Sequence, residues 1–442
     1  MRAAETLPSL ASFARWRWGP RPADRTALLE AQQRRLSRFL AHVLPRAPFY
    51  RSAAGRSLAE LPIVDKATVL GDFTAFNTRG VSLEQALAVA LAAERSRDFS
   101  PTVGDLTVGL SSGTSGQRGV FLVSPRERAI WAGALLARLL SRGSLRRLLD
   151  LRRAPLRVAF FLRANSNLYR TLASRRLDFA FHDLLAPFDQ HVDRLDRQPP
   201  DILVAPATVL RRLAEATTAR PSQVVSVAEV LEPEDEEFLR TAFGVPVQQI
   251  YQATEGWLGT SCRAGRIHLE EERVHVEPEW LDAERFVPLV TDFSRTTQLV
   301  VRYRLDDVLR IAVDPCPCGQ PTRSLAAVEG RLDDVLWAVP AHGGAPRPVF
   351  PDTVRRAFAL AGASGALRDF RVEQHEETWE IRLDSTDDPA AAETPVRYEL
   401  EETFRTLELR LPRLVFLPFH RQPLDQKQRR VRCVRRFAPI AQ

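Results

Sequence analysis

The chain has 442 residues, 45% of them apolar and 26% charged, with a net charge of +7. That length suits two or three domains around a large core, and the composition is that of a globular protein rather than a disordered one. No apolar run reaches a membrane span, four cysteines make no disulfide framework, and an N-terminus bearing Glu5, Arg15 and Arg17 does not read as a secretory signal. A reducing cytoplasm is the expected compartment.

Of the 62 basic residues, only Lys66 and Lys427 are lysines. Arginine is a planar fork and lysine a compact point charge on a flexible stem, so a surviving lysine marks a place where the fork does not serve. Basic charge is densest between Arg138 and Arg157, among leucines. It reads as a solvated helix face, with weak binding to an anionic membrane surface as the other reading and nucleic acid disfavoured.

In chain order, Thr26 to Leu44 carries a helical apolar stripe, stopped by Pro45 and Pro48. Asp65 caps a further helix, at which Lys66 stands. Val108 and Leu110 lead into Ser111-Ser112-Gly113-Thr114-Ser115-Gly116-Gln117-Arg118-Gly119, and Val120 to Val123 lead out. Glycines and hydroxyls between two strands make either a hairpin turn or a phosphate cradle. No Gly-Lys-Ser/Thr follows, so it is no Walker loop. A helix from about Pro125 to Leu140 comes next, capped by Ser124.

Strands are then expected over Leu156–Leu162, Ile202–Ala205, Val224–Val230 and Val247–Tyr251, with helices from Thr208 and Pro233. A helical stretch is expected from Leu168-Tyr169. This alternation points to a parallel sheet. Tyr251-Gln252-Ala253-Thr254-Glu255-Gly256 follows a strand end, where α/β folds place ligands. An aromatic face can stack on a base, a threonine can hold a phosphate oxygen and a glutamate can hold Mg²⁺, although a plain polar loop would look the same. Residues 266 to 313 read as β structure. Cys262, His268, Cys316 and Cys318 either converge as a tetrahedral structural zinc site or are buried thiols beside a histidine. Val339 to Pro351, rich in Pro, Gly and Ala, reads as a boundary or turn. A small α/β unit follows, with Asp387 to Glu393 as a loop before a helix from Thr394.

Six stretches in this order, Ser111–Gly119, Ala228-Glu229, Tyr251–Gly256, Tyr303–Asp307, Gly330–Asp334 and the segment around Lys427, resemble the adenylate-forming superfamily of acyl/aryl–CoA ligases. The Leu-Pro-x-x-x-Lys turn at Lys66, Cys-x-Cys-Gly and Gly-Arg-x-Asp-Asp resemble its phenylacetate–CoA ligase branch, including the deazaflavin-coenzyme adenylyltransferase-like group. The resemblance implies an α/β fold: a large adenylation domain over 1–332, with mixed and parallel sheets, that binds ATP and an acid, and a small mobile α+β domain over 333–442. It implies that a carboxylate attacks ATP to give an acyl-adenylate and pyrophosphate, after which a thiol (CoA or the phosphopantetheine of an acyl carrier protein) displaces AMP. Its two alternatives are an enzyme that leaves AMP on the acceptor and a weak nucleotide-binding scaffold.

By the resemblance, Ser111, Ser112, Gly113, Thr114, Ser115, Gly116 and Arg118 would hold phosphates. Ala228 and Glu229 would line the adenine, with Tyr251 stacked on it. Thr254 would hold the α-phosphate, Glu255 the magnesium, Asp307 the ribose and Arg331 the ribose or phosphates. Asp333 would be the hinge and Lys427 the mobile catalytic lysine. Phe161, Arg163, Tyr169, His182 and Trp257 would line a pocket for an acid expected to be aromatic, and related members carry cysteines where Cys262, Cys316 and Cys318 stand. A homodimer is a possible assembly. The sequence departs from the pattern at Leu305-Asp306 and after the hinge, where Trp337 to Gly344 replaces the glycine-rich turn that shapes the thiol tunnel.

Overall fold

A computed structural model describes residues 3–111, 118–163, 176–363, 367–386, 389–423, 426 and 429–435. The chain forms two compact units, Met1–Leu305 with Ile311–Ala327, and Asp306–Arg310 with Val328–Gln442.

The first unit is built on a mixed sheet. Five strands run parallel in the order Leu177–Asp183, Leu156–Leu162, Ile202–Ala205, Gln223–Val227 and Val247–Ala253. Ile202–Ala205 and Gln223–Val227 are buried at every position. Continuous aliphatic runs are what a sheet covered on both faces requires. The sheet continues antiparallel through Gly256–Ser261 and Ile267–Leu269. Thr107–Leu110 and Val120–Val123 pair separately as an antiparallel hairpin.

Two N-terminal helices attach to this frame. Helix Ala3–Trp18 lies on helix Pro125–Leu139, where Ser12 Oγ donates to the Ile130 carbonyl at 2.6 Å. Helix Arg25–His42, capped by Asp24, is tied to residues 271–274. There Glu271 is buried between Arg25 and Arg323. Burial works to raise the Glu271 carboxyl, but the two guanidiniums overcome it and hold the group below the usual carboxylate range. Arg138 is not on a solvated face. It is half-buried and bonded to Glu270 at 3.2 Å.

The second unit has a four-stranded sheet in the order Arg413–Leu417, Thr378–Ser385, Leu367–His375, Val431–Arg435, with the central pair antiparallel and the outer pairs parallel. Trp379, Phe358 and Phe404 are fully buried in its core, and Cys433 packs there as well. Two expectations are corrected here. Val339 to Pro351 is no boundary, because it connects the paired strands Leu336–Ala338 and Arg347–Val349 inside this unit. The loop expected up to Glu393 is instead helix from Pro389, running to Thr406. Proline suits a first turn, and the three alanines after it are the strongest helix formers. The helix expected at Leu168-Tyr169 lies outside the described residues.

Candidate functional site

All five parallel strands end on one edge, where a doubly wound sheet exposes the residues that follow its strands. Arg163, Pro206, Ala228 and Thr254 each follow one of these strand ends. Ala228 has φ +66°, a left-handed conformation unusual for a residue with a Cβ. Such strain persists where the surroundings enforce it, and here the Glu229 N–H donates to the Val227 carbonyl at 2.8 Å. The Glu229 carboxylate is engaged by Thr208, accepting from its N–H at 3.1 Å and its hydroxyl at 2.7 Å.

Thr254 and Glu255 form the two-residue turn between Val247–Ala253 and Gly256–Ser261, with Ala253 opposite Gly256. Tyr251 lies one strand position pair before the turn and is buried. Arg295 fixes this turn. Its guanidinium donates to the Glu255 carbonyl at 2.7 Å and to the Leu122 carbonyl at 2.9 Å. Leu122 belongs to the strand that leaves the Ser/Gly loop. Gln298 holds the same strand by accepting from the Leu122 N–H at 2.8 Å and donating to the Val120 carbonyl at 3.3 Å. The exit of the loop and the Glu255 turn are thus braced by one another.

Ser112 to Gln117 lie outside the described residues, but the neck of that loop is defined. The Ser111 N–H donates to the Gly119 carbonyl at 2.8 Å, and the Gly119 N–H to Ser111 Oγ at 2.6 Å. Arg118 Nε donates to the Ser111 carbonyl at 3.1 Å, and its two Nη groups meet both oxygens of Glu94. Lys66, which opens helix Lys66–Gly71, brings its Cε to 3.9 Å from where a Gly119 Cβ would stand. The turn before it is bonded to Arg302 and Arg304 through Val64. One of the two lysines therefore stands at the loop's neck.

In the second unit, Asp307 begins strand Asp307–Ile311 and lies 3.8 Å from Arg331 Nε. Gly330 has φ +122°, and a Cβ there would come within 2.6 Å of Asp334 Oδ2. Only glycine permits this approach, in which the Arg331 N–H donates to Asp334 at 2.7 Å. Asp333 and Asp334 share one cation. Arg429 donates to Asp333 at 2.9 Å through Nη1 and to Asp334 at 2.6 Å through Nε. Burial works against the charged Asp333, yet Arg429 holds its carboxyl below the usual range. Asp334, more deeply buried, is pushed up despite the same partner. Alanine at Arg429 is expected to leave the Asp333 and Asp334 carboxylates without their shared cation and to destabilise the second unit by about 3 kcal/mol. Chemical denaturation followed by Trp379 fluorescence measures this, and an unchanged midpoint would remove the pair from the account.

Of the side chains expected in an acid pocket, Phe161 and His182 stand together on neighbouring strands. Phe161 is fully buried and stacks on His182 at 4.3 Å. His182 also approaches His191, Nδ1 to Nδ1 at 3.3 Å. Burial, with Arg194 and His191 nearby, pushes His182 down to about 3, so this ring is neutral. Trp257 is in the core and donates to Thr260 Oγ1 at 2.9 Å. Arg163 is half-buried, and its carbonyl accepts from Arg97. Tyr169 and Lys427 lie outside the described residues.

The four candidate metal ligands do converge. One ligand atom from each of Cys262, His268, Cys316 and Cys318 lies within 4.8 Å of all the others. Cys262 and Cys316 sulfurs are 3.6 Å apart, and Cys318 Sγ is 3.3 Å from His268 Nε2. Tetrahedral zinc with thiolates at about 2.3 Å sets sulfurs roughly 3.8 Å apart. The surroundings fit the same chemistry. Backbone N–H groups of Ala264 and Gln320 donate to the sulfurs of Cys262 and Cys318 at 3.3 and 3.4 Å. Gly319, at φ +77°, lets the Cys-x-Cys-Gly turn close. His268 Nδ1 lies 3.0 Å from the Thr322 carbonyl, which fixes the tautomer and leaves Nε2 facing the sulfurs. Burial pushes the Cys262 thiol up to about 11. Burial works on Cys316 too, but hydrogen bonds from the Cys318 backbone, His268 and the other thiols outweigh it and bring that thiol down to about 6.

No family model and no curated protein sequence matches this chain. Solved structures do match its shape. 2-Hydroxyisobutyryl-CoA ligase in the postadenylation state, in complex with R3-HIB-AMP, has a TM-score of 0.64 at 15% identity, over 95% of this chain and 92% of that one. An open conformation of that ligase, in complex with 2-HIB-AMP and CoA, has a TM-score of 0.55 at 17% identity, over 93% and 91%. The chain therefore shares the fold of that CoA ligase, an α/β architecture as expected from the sequence.

Glu94, Thr208, Arg295 and Arg429 were not singled out from the sequence as parts of these arrangements. Their only signal is pairing across the chain, which no local pattern carries.

Proposed function

We propose that the chain is an ATP-dependent enzyme that activates a carboxylic acid as its acyl-adenylate, releases pyrophosphate and passes the acyl group to a thiol. The observation that carries this reading is that Arg295 bonds both the Leu122 carbonyl, in the strand that leaves the Ser111–Gly119 loop, and the Glu255 carbonyl of the Thr254-Glu255 turn, in a chain with the fold of a CoA ligase. In-line attack on a phosphorus needs fixed donors and charge at two places, not a nucleophilic side chain.

In this reading Ser111, Ser112, Gly113, Thr114, Ser115 and Gly116 hold the departing phosphates. The backbone at Ala228-Glu229 lines the adenine, beside Tyr251. Thr254 holds the α-phosphate, and Glu255 offers the oxygen ligand that magnesium prefers. Asp307 takes the ribose hydroxyls, with Arg331 supporting it. Residues 1–332 bind ATP and acid, and residues 333–442 carry Lys427, pivoting at Asp333. Phe161, Arg163, Tyr169, His182 and Trp257 remain the candidates for shaping an aromatic acid's site. The acceptor is CoA or a carrier-protein pantetheine. Cys262, His268, Cys316 and Cys318 hold a structural zinc ion, whose four ligands leave no open position for catalysis.

Carboxylate-dependent exchange of labelled pyrophosphate into ATP tests this. Exchange is expected with at least one member of a panel of aromatic and aliphatic acids in the presence of magnesium. No exchange with any acid would favour a nucleotide-binding scaffold. Thiol-dependent release of free AMP separates acyl transfer from an enzyme that leaves AMP on its acceptor.

A further inference from the structure

The Ser/Gly loop has one cation within its own sequence, Arg118. A phosphate cradle would be expected to turn that charge toward its ligand. The geometry gives it a different task. Both Nη groups of Arg118 meet the two carboxylate oxygens of Glu94, and Nε reaches the Ser111 carbonyl. Glu94 is only 19% exposed and Arg118 29%. A two-pronged pair of this kind fixes orientation as well as charge. Burial works against both charges, yet the pairing dominates. It holds the Glu94 carboxyl below its usual range and the Arg118 guanidinium above its own.

The placement of Glu94 gives the pair a second meaning. Glu94 lies in the last turn of helix Leu83–Ser96, where the helix dipole disfavours a carboxylate. A carboxylate there is justified by its partner, not by its helix. The partner is the residue next to Gly119, whose N–H and carbonyl close the neck onto Ser111. We propose that Glu94 is a positioning residue for the Ser111–Gly119 loop. It holds the neck closed through Arg118, which acts as a fastener rather than as a phosphate ligand. The inference rests on the reading of this loop as the ATP phosphate holder. A neutralised pair presents only a dipole to a phosphate, so its effect on ATP comes through the shape of the loop.

The two roles of Arg118 predict opposite results for Glu94. If Arg118 is a fastener, Glu94→Gln loosens the neck and raises the KM for ATP by about tenfold, leaving the KM for the acid unchanged. If Arg118 is a phosphate ligand, the same variant releases a cation and ATP binds as well as before or better. The exchanged pair, Glu94→Arg with Arg118→Glu, restores the ion pair with reversed polarity. It does not restore the bond from Arg118 Nε to the Ser111 carbonyl, so the KM for ATP is expected to recover in part, falling at least about threefold from its value in Arg118→Glu alone. A carboxylate facing phosphates would instead leave the exchanged pair as impaired as Arg118→Glu, which would overturn the proposal.

Amide hydrogen exchange at Ser111 and Gly119, measured on the full chain without nucleotide, separates this result from the fate of the adenylation reading. Faster exchange in Glu94→Gln, partly reversed in the exchanged pair, is expected whether or not ATP is turned over. Unchanged exchange at both amides would overturn the fastener even in a chain that binds ATP. Thermal melts of each variant show that any loss is not global unfolding.

Discussion

Alanine at Lys427 is expected to lower carboxylate-dependent pyrophosphate exchange by at least about 100-fold, the usual effect of removing one charged donor from a developing oxyanion. ATP binding is expected to stay within about threefold of wild type, because the cradle and the Thr254-Glu255 turn lie elsewhere in the chain. The expectation follows from composition as much as from position. In a chain where nearly every cation is arginine, Lys427 keeps an ammonium, the group suited to reach between two oxygens and withdraw. Its neighbours have other duties. Arg429 is committed to Asp333 and Asp334, and Arg430 to Asp369 at 2.7 Å. Lys427→Arg is expected to be nearly as impaired as the alanine variant. Transfer of the acyl group from a supplied acyl-adenylate to the thiol should survive in both. Wild-type exchange in Lys427→Ala would remove the lysine from the mechanism.

The second large effect concerns the cysteine cluster. Purified protein is expected to hold about one zinc ion per chain, and Cys318→Ser to hold almost none. Loss of the ion should lower the unfolding midpoint of the first unit by roughly 5–10 °C, since the thiolates then lose the charge that held them together and keep only His268 and backbone N–H groups such as those of Ala264 and Gln320. Zinc below about a tenth of a mole per chain in wild-type protein made with zinc present would sink the site. A midpoint unmoved by Cys318→Ser, with zinc retained, would place the metal elsewhere.

Much of the frame is legible in the sequence for physical reasons. Leu156–Leu162, Ile202–Ala205 and Gln223–Val227 are short, mostly apolar and β-prone runs, as strands covered on both faces tend to be. The cysteines allowed two readings in the sequence, a zinc site or buried thiols beside a histidine, and what the fold adds is that Cys262, His268, Cys316 and Cys318 bring ligand atoms within 4.8 Å of one another. The pairings that hold the site were not readable. Glu94 meets Arg118 over 24 positions, Arg295 meets Glu255 over 40, and Arg429 meets Asp333 over 96. With so many arginines in the chain, none stands out as a fastener. The helix from Pro389 was missed at its start because proline and a run of small residues read as loop as readily as they read as a first turn. Lys66 could be noticed for its rarity, but its place beside Gly119 depends on Val64 bonding to a strand more than 230 residues later.

The cysteine cluster has a consequence for the order in which the chain folds. Cys262 and Cys316 are 54 residues apart in sequence. Closing a loop of that size costs an unfolded chain about 4 kcal/mol of entropy. An ion that bridged its ends would remove that cost once, as soon as Cys318 had left the ribosome. The loop so closed contains the Arg295 brace, the Gln298 contact and the strand that anchors Val64. The first unit could therefore lock its ligand edge while most of the second was still unmade.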